Sequence, residues 1–129
     1  MTKDEYLALL GRGDAAWNAW RAEHDEAPNL TGAALRGLDL SRFDLSRADL
    51  RGADLRGTRC YDTDLSGAHL EGANLFKAML DGADLSGAFL YGVQFLNCAQ
   101  LVVARNWQLA FRDEALGCGA LIPDTRRPE

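Results

Sequence analysis

Between Leu30 and Phe95 an apolar centre recurs at every fifth position without interruption: Leu30, Leu35, Leu40, Leu45, Leu50, Leu55, Cys60, Leu65, Leu70, Leu75, Leu80, Leu85, Leu90 and Phe95. A period of five suits neither an α-helix, with about 3.6 residues per turn, nor an alternating strand, with about two. The neighbouring positions repeat as well. Two residues before the centre stands a small or apolar residue, most often alanine, as at Ala33, Ala48, Ala53, Ala68, Ala73, Ala78, Ala83 and Ala88. Two residues after it stands glycine in most repeats, as at Gly52, Gly57, Gly67, Gly72, Gly82, Gly87 and Gly92. An aspartate directly precedes many centres, four in succession from Asp39 to Asp54. An unbroken register of this length marks an internal repeat, and it governs every later inference about fold.

The consensus A-(D/N)-L-x-G over about residues 28 to 97 resembles the pentapeptide-repeat family. The resemblance implies an all-β solenoid, a right-handed quadrilateral β-helix with one five-residue repeat on each side. The residue types suit that geometry: two residues of each repeat fill the interior, and glycine serves a corner that a side chain would strain or block. With four sides to a coil, each side chain stacks on the one about twenty positions on, at the ladder spacing of about 4.8 Å. The repeats then make about 3.5 coils, a rod roughly 17 Å long.

A coil cannot bury its inner face alone, so coils stack and their two ends need covers. Residues 1–27 read as a helical cap, with Trp17 and Trp20 as a lid over the first coil and a break at Gly11 and Gly13. The segment WNAWR just ahead of the repeats is also similar to the opening of many bacterial pentapeptide-repeat proteins. After the β-helix of 28–97 the register slips by one near Asn97 and Cys98. Residues 98–120 are then expected to form a partial coil and a closing helix over about 104–116, with Trp107, Leu109, Ala110 and Leu116 covering the last coil. The tail, 121–129, is rich in proline and charge and is expected to be mobile. The whole is one domain.

Composition narrows the setting. The 129 residues are 47% hydrophobic, no apolar run approaches a membrane span, and the first residues are too acidic for a signal peptide. A cytoplasmic protein without membrane contact is expected, with Cys60, Cys98 and Cys118 reduced. The net charge of −5 argues against direct nucleic-acid binding.

Function should be written on the outer columns of the rod. Asp44, Asp64 and Asp84 form one column beside Ser46, Ser66 and Ser86. It is either a solvated face whose carboxylates accept corner N–H groups or a docking strip for a basic partner. Asp39 under Arg59, Arg51 under Glu71 and Asp49 under His69 are expected as exposed pairs. Cys60 adjusts space among Leu38, Phe43, Thr58 and Thr63. Phe76, Met79, Phe89, Tyr91 and Leu96 fall at nominally outward positions near the end of the rod. Either the C-terminal helix, a second copy joined through the last coil or that helix, or a different partner should cover them.

The chain carries no Ser/His/Asp or Cys/His constellation, phosphate loop, metal motif or cofactor motif, so no enzyme and no cofactor are expected. A rigid scaffold for contact with an unidentified protein partner is the reading the residues favour. The family resemblance suggests an alternative, a DNA-mimic-like regulator of a type II topoisomerase such as DNA gyrase. The nearly neutral repeat region, nine acids against seven bases over 28–100, and the short rod depart from that pattern.

Overall fold

A computed structural model describes residues 1–122; most of the tail expected to be mobile, from position 123 on, lies outside the described residues. The repeats wind into stacked coils. Parallel bridges join Asn29 to Asp49, Ala34 to Asp54, Asp39 to Arg59 and Asp44 to Asp64, and each of these partners bridges onward to the next coil, as Asp49 does to His69. The bridges are isolated, and no continuous strand forms among the described residues, because the backbone turns again after each one.

Each corner is a four-residue turn. In the first, the Ala33 amide donates to the Leu30 carbonyl at 3.1 Å. The third residue of the turn takes a positive φ, +65° at Gly32 and +68° at Gly52, where an L side chain is strained. At Gly82 a Cβ would also run into the Asp62 carboxylate one coil earlier. Arg42, Arg47, Asp62 and Lys77 accept the same corner with φ between +56° and +66°.

Thirteen centres, from Leu30 to Leu90 and including Cys60, are buried. About 10 Å³ of free space remains between them, less than one water requires. Burial pushes the Cys60 thiol up to about 11. The hydroxyls beside it are satisfied, Thr58 on the Leu55 carbonyl at 2.9 Å and Thr63 on the Leu40 carbonyl at 2.7 Å. Phe95, counted above as the fourteenth centre, points out instead and is 66% exposed. The register breaks there. Helix α3 (Cys98–Leu101), capped reciprocally by Asn97 and Gln100, carries Leu101 inward, and the next side pairs late, Asp84 with Arg105 and Phe89 with Phe111.

Ahead of the coils, α1 (Lys3–Leu10) and α2 (Asp14–Glu23) are separated at Gly11 and Gly13, the latter at φ +99°. Tyr6, Leu10 and Trp17 join the same buried cluster as the leucines. The Trp17 ring is 6.3 Å from that of Phe43, and its Nε1–H donates to the Asp44 carbonyl at 2.7 Å. Trp20 is half-buried and packs edge-on to Tyr6 at 5.5 Å. Arg21 is buried and donates to the carbonyls of Asp44 and Ser46 at 2.9 and 2.8 Å.

Two expectations about the C-terminal segment are corrected. The closing helix over 104–116 does not form; two short 3-10 turns, Trp107–Leu109 and Glu114–Leu116, stand in its place. Helical hydrogen bonding loses to the ladder, since Arg105 and Phe111 are drawn into bridges with the preceding coil. Fully buried Arg112 organises the rest. Its guanidinium donates to the carbonyls of Gln108, Ala110, Leu116, Gly117 and Leu121 and lies 5.1 Å from the centre of the half-buried Trp107 ring. The second correction concerns the thiols: Cys98 and Cys118 form a disulfide with Cα atoms 5.6 Å apart. They lie 20 residues apart, one in α3 and the other just after the second 3-10 turn, so the bond closes the segment that follows the register break.

Titration with a thiol reagent should therefore find no reactive cysteine in the native protein and one, Cys60, after unfolding without reductant; three in the unfolded chain would contradict the bond. Arg112→Met keeps the aliphatic stem but strands several buried carbonyls, so urea unfolding should show a loss of about 2–3 kcal/mol; a loss below about 0.5 would contradict the organising role.

Candidate functional site

The aspartate before each centre has a local task that follows from the turn. In the column Asp44, Asp64, Asp84, each carboxylate accepts from the amide of the serine two residues on, at 3.0–3.1 Å, and from its hydroxyl at 2.6–2.7 Å. These Asx turns occupy amides that the coil ladder leaves free. The column also has relief at both ends. Arg21 Nη1 lies 3.7 Å from Asp44 Oδ1, and Asn106 donates to Asp84 Oδ1 at 3.1 Å. Burial works to raise the Asp84 carboxyl, but the Ser86 and Asn106 hydrogen bonds and the Arg105 charge prevail and hold it below the ordinary range.

The next side round the coil runs Asn29, Asp49, His69, Phe89 and Phe111. Its rings stack, His69 on Phe89 at 4.4 Å and Phe89 on Phe111 at 5.1 Å. Ion pairs here form along the chain and not between coils. Arg51 grips Asp49 with two bonds of 2.8 and 2.7 Å, and His69 lies 3.3 Å from Glu71. That corrects the expected Arg51–Glu71 and Asp49–His69 pairs: side chains two apart project from the same side and reach each other first. Asp39 and Arg59, 3.7 Å apart, do pair between coils.

A third side carries Arg36, Arg56, Phe76 and Leu96, with Gly37, Gly57 and Lys77 at its corners. Arg56 is bidentate on Asp54 at 2.8 and 2.7 Å. Those bonds and the Arg56 charge hold the Asp54 carboxyl down from 3.8 to about 2.

The apolar residues anticipated as one patch divide. Phe76 is 48% exposed; Tyr91 is buried; Met79, Phe89 and Leu96 are half-buried, Met79 beneath the Tyr61 hydroxyl at 2.9 Å. Exposed Phe95, Val102, Val103 and Leu109 continue the apolar surface instead. Phe95 was hidden by its own regular spacing, and only the missing alanine and glycine around it signal the break. Arg21 and Arg112 carry no sequence signal, since a lone arginine in a flank usually reads as solvated. Among the described residues no group of three or more metal-ligating side chains converges, and no helix is long and apolar enough to cross a membrane.

This stack of five-residue sides defines a repeat solenoid, and comparison with known proteins gives its family. The pentapeptide-repeat model matches residues 29–59 and 55–92 with 8 copies. The chain belongs to the pentapeptide-repeat family, whose members form right-handed β-helices and generally serve as structural or interaction modules. It is similar to alr5209, a pentapeptide repeat protein of Nostoc Pcc 7120, at 37% identity over 75% of this chain and 78% of that one, with a TM-score of 0.58. It also matches HetL of Nostoc sp. strain PCC 7120, a protein involved in heterocyst differentiation regulation, at 26% identity over 67% of this chain and 41% of that one, with a TM-score of 0.48. No curated protein matches the chain.

The Asp54–Arg56 pair has a testable pH signature. A depressed carboxyl stabilises the fold fully above its ordinary 3.8, and that contribution is lost as pH falls through about 2. An NMR titration should place the Asp54 midpoint near 2, and Arg56→Ala should return it towards 3.8; an unmoved midpoint would contradict the assignment.

Proposed function

We propose that the chain is a rigid, non-catalytic module for contact with another protein: a right-handed, four-sided rod of about 3.5 coils with helices over its first end. The observation that supports this is the contrast between inside and outside. The space between the leucine centres holds about 10 Å³, too little for any ligand, while the outer columns differ in chemistry from side to side. Recognition then falls to the outer surface, which includes an open cleft of about 600 Å³ between the helices and the first coil, lined by Leu7, Leu10, Leu38 and Phe43. The DNA-mimic reading gains nothing from the aspartate column, because each carboxylate is already engaged by its serine and two of them by Arg21 or Asn106 as well.

The setting also enters this reading. Reduced cysteines were expected as a consequence of cytoplasmic residence; the Cys98–Cys118 bond favours a compartment where thiols are oxidised.

One substitution per side tests the module: Phe76→Ser, Arg59→Glu, Glu71→Lys and Asp64→Asn, each in the full chain used as bait in its own cells. The expected outcome is a co-purifying protein lost with the variant of one side and retained with the others. Enrichment of none, or retention by all four, would contradict the proposal. Light scattering on the same proteins reads the competing occupant of the last coil; a dimer dispersed by Phe76→Ser alone would mean that the surface serves self-association.

A further inference from the structure

We infer that the side built from 33–37, 53–57, 73–77 and 93–97 is a docking strip for an acidic, extended segment of another protein that carries an apolar side chain. This rests on the interaction-module reading and names the surface and partner chemistry. The charge distribution carries the argument first. In a chain of net charge −5, this side holds three bases, Arg36, Arg56 and Lys77, against one acid, Asp54. Each of the other three sides holds more acids than bases, if histidine is taken as neutral.

Two of the bases are also available: among the described residues exposed Arg36 makes no side-chain hydrogen bond or ion pair, and the exposed Lys77 ammonium lies 5.3 Å from the Phe76 ring centre, whereas Arg56 is held by Asp54. On the two neighbouring sides Arg51, Arg59 and Arg42 are held by Asp49, Asp39 and Asp14, and on the opposite side exposed Arg47 stands among Asp44, Asp64 and Asp84. The strip is also shaped. Arg36, Gly37, Arg56, Gly57, Phe76 and Lys77 line a shallow groove of about 290 Å³. A Cβ at Gly37 or Gly57 would meet nothing within 4 Å, so a partner backbone can come close over these corners.

The far end supplies an apolar anchor. Phe76 and Phe95 meet edge to face at 5.9 Å, and Phe95 is held with its ring outward at φ +58°, a region that bulky side chains avoid. Arginine beside exposed aromatic rings is the composition of an interface core. Successive coils stack Arg36 on Arg56 about 4.8 Å apart, and Lys77 stands one coil further on in the adjoining corner column of Gly37 and Gly57, so the bases come within reach of alternate side chains of an extended peptide, about 6.8 Å apart. A nucleic-acid strand fits less well, because Asp39, Asp62 and Asp81 border the strip on one side and Asp49 and Glu71 lie on the other neighbouring side, where they repel a continuous polyanion.

The test is fluorescence anisotropy of the full chain with three labelled probes: a short peptide of alternating glutamates with a central phenylalanine, the same peptide with glutamine for glutamate, and single-stranded DNA. Saturable binding of the acidic peptide is expected, weakened about tenfold by the glutamine exchange and by Arg36→Glu with Lys77→Glu, and unchanged by Asp64→Asn. These positions are exposed, and an unchanged circular dichroism melt certifies the folded variants. No saturable binding, binding indifferent to Arg36→Glu with Lys77→Glu, or preference for DNA would overturn the inference. A cellular partner retained by that double variant but lost with Arg59→Glu would refute the strip and leave the module reading standing. Absence of a partner for any side would remove both.

Discussion

The hydrogen bonds that join one coil to the next are what everything else in this protein depends on. Leu50 donates to the His69 carbonyl and His69 to that of Ala48, each near 2.9 Å, and the same exchange recurs on every side. Because each side bends after a single bridge, the ladder cannot be extended along a strand and must be extended by stacking. Stacking in turn fixes a coil length of four five-residue sides, and that length requires a positive φ at every corner. Gly52 meets this requirement without strain, whereas Arg47 and Lys77 meet it because the ladder on both sides holds them there. The leucine interior follows from the same geometry, since the centres of successive sides fill a space with almost no free volume.

A stacked ladder ends in unpaired groups, and both ends close them in a related way. At the first coil, Arg21 from α2 donates to two carbonyls beneath the Trp17 ring, whose own N–H takes a bond there as well. At the last coil, Arg112 gathers carbonyls from a segment with almost no regular structure, and the disulfide ties that segment to α3. Burial lowers the pKa of both guanidiniums, the cost of withdrawing a cation from water, but arginine stays charged at any working pH. Five donors in a rigid fork suit this task better than a lysine would.

The repeat region was legible because each side tests the same register again, so Leu45 or Ala68 could be assigned inward by position alone. The break between α1 and α2 was legible from Gly11 and Gly13. What escaped the sequence belonged to interactions between distant or competing partners. ARNWQLAFRDEALG has helical residue types, yet Arg105 and Phe111 gain more from pairing with Asp84 and Phe89. The cysteines were judged by cellular redox habit, and their pairing depends on how the segment after the register break folds back. Arg51 was assigned to Glu71 by column, although Asp49 lies nearer on its own side. The turn-holding bonds of the aspartate column, one of the two readings the sequence offered for it, follow from the serine two residues after each carboxylate.

Outside, one side of the stack differs from the rest in charge and in exposed aromatic surface. The ladder holds that side in place. Hydrogen exchange followed by NMR examines it most directly. Amides of the centres, such as Leu50, Leu65 and Leu70, donate between coils, whereas those of Arg51 and Ser66 are held only by the neighbouring aspartate. The account predicts slow exchange at the centres of the middle coils and fast exchange at Arg51 and Ser66, repeating every five residues. Uniform protection along 28–97, or a helical pattern, would contradict it.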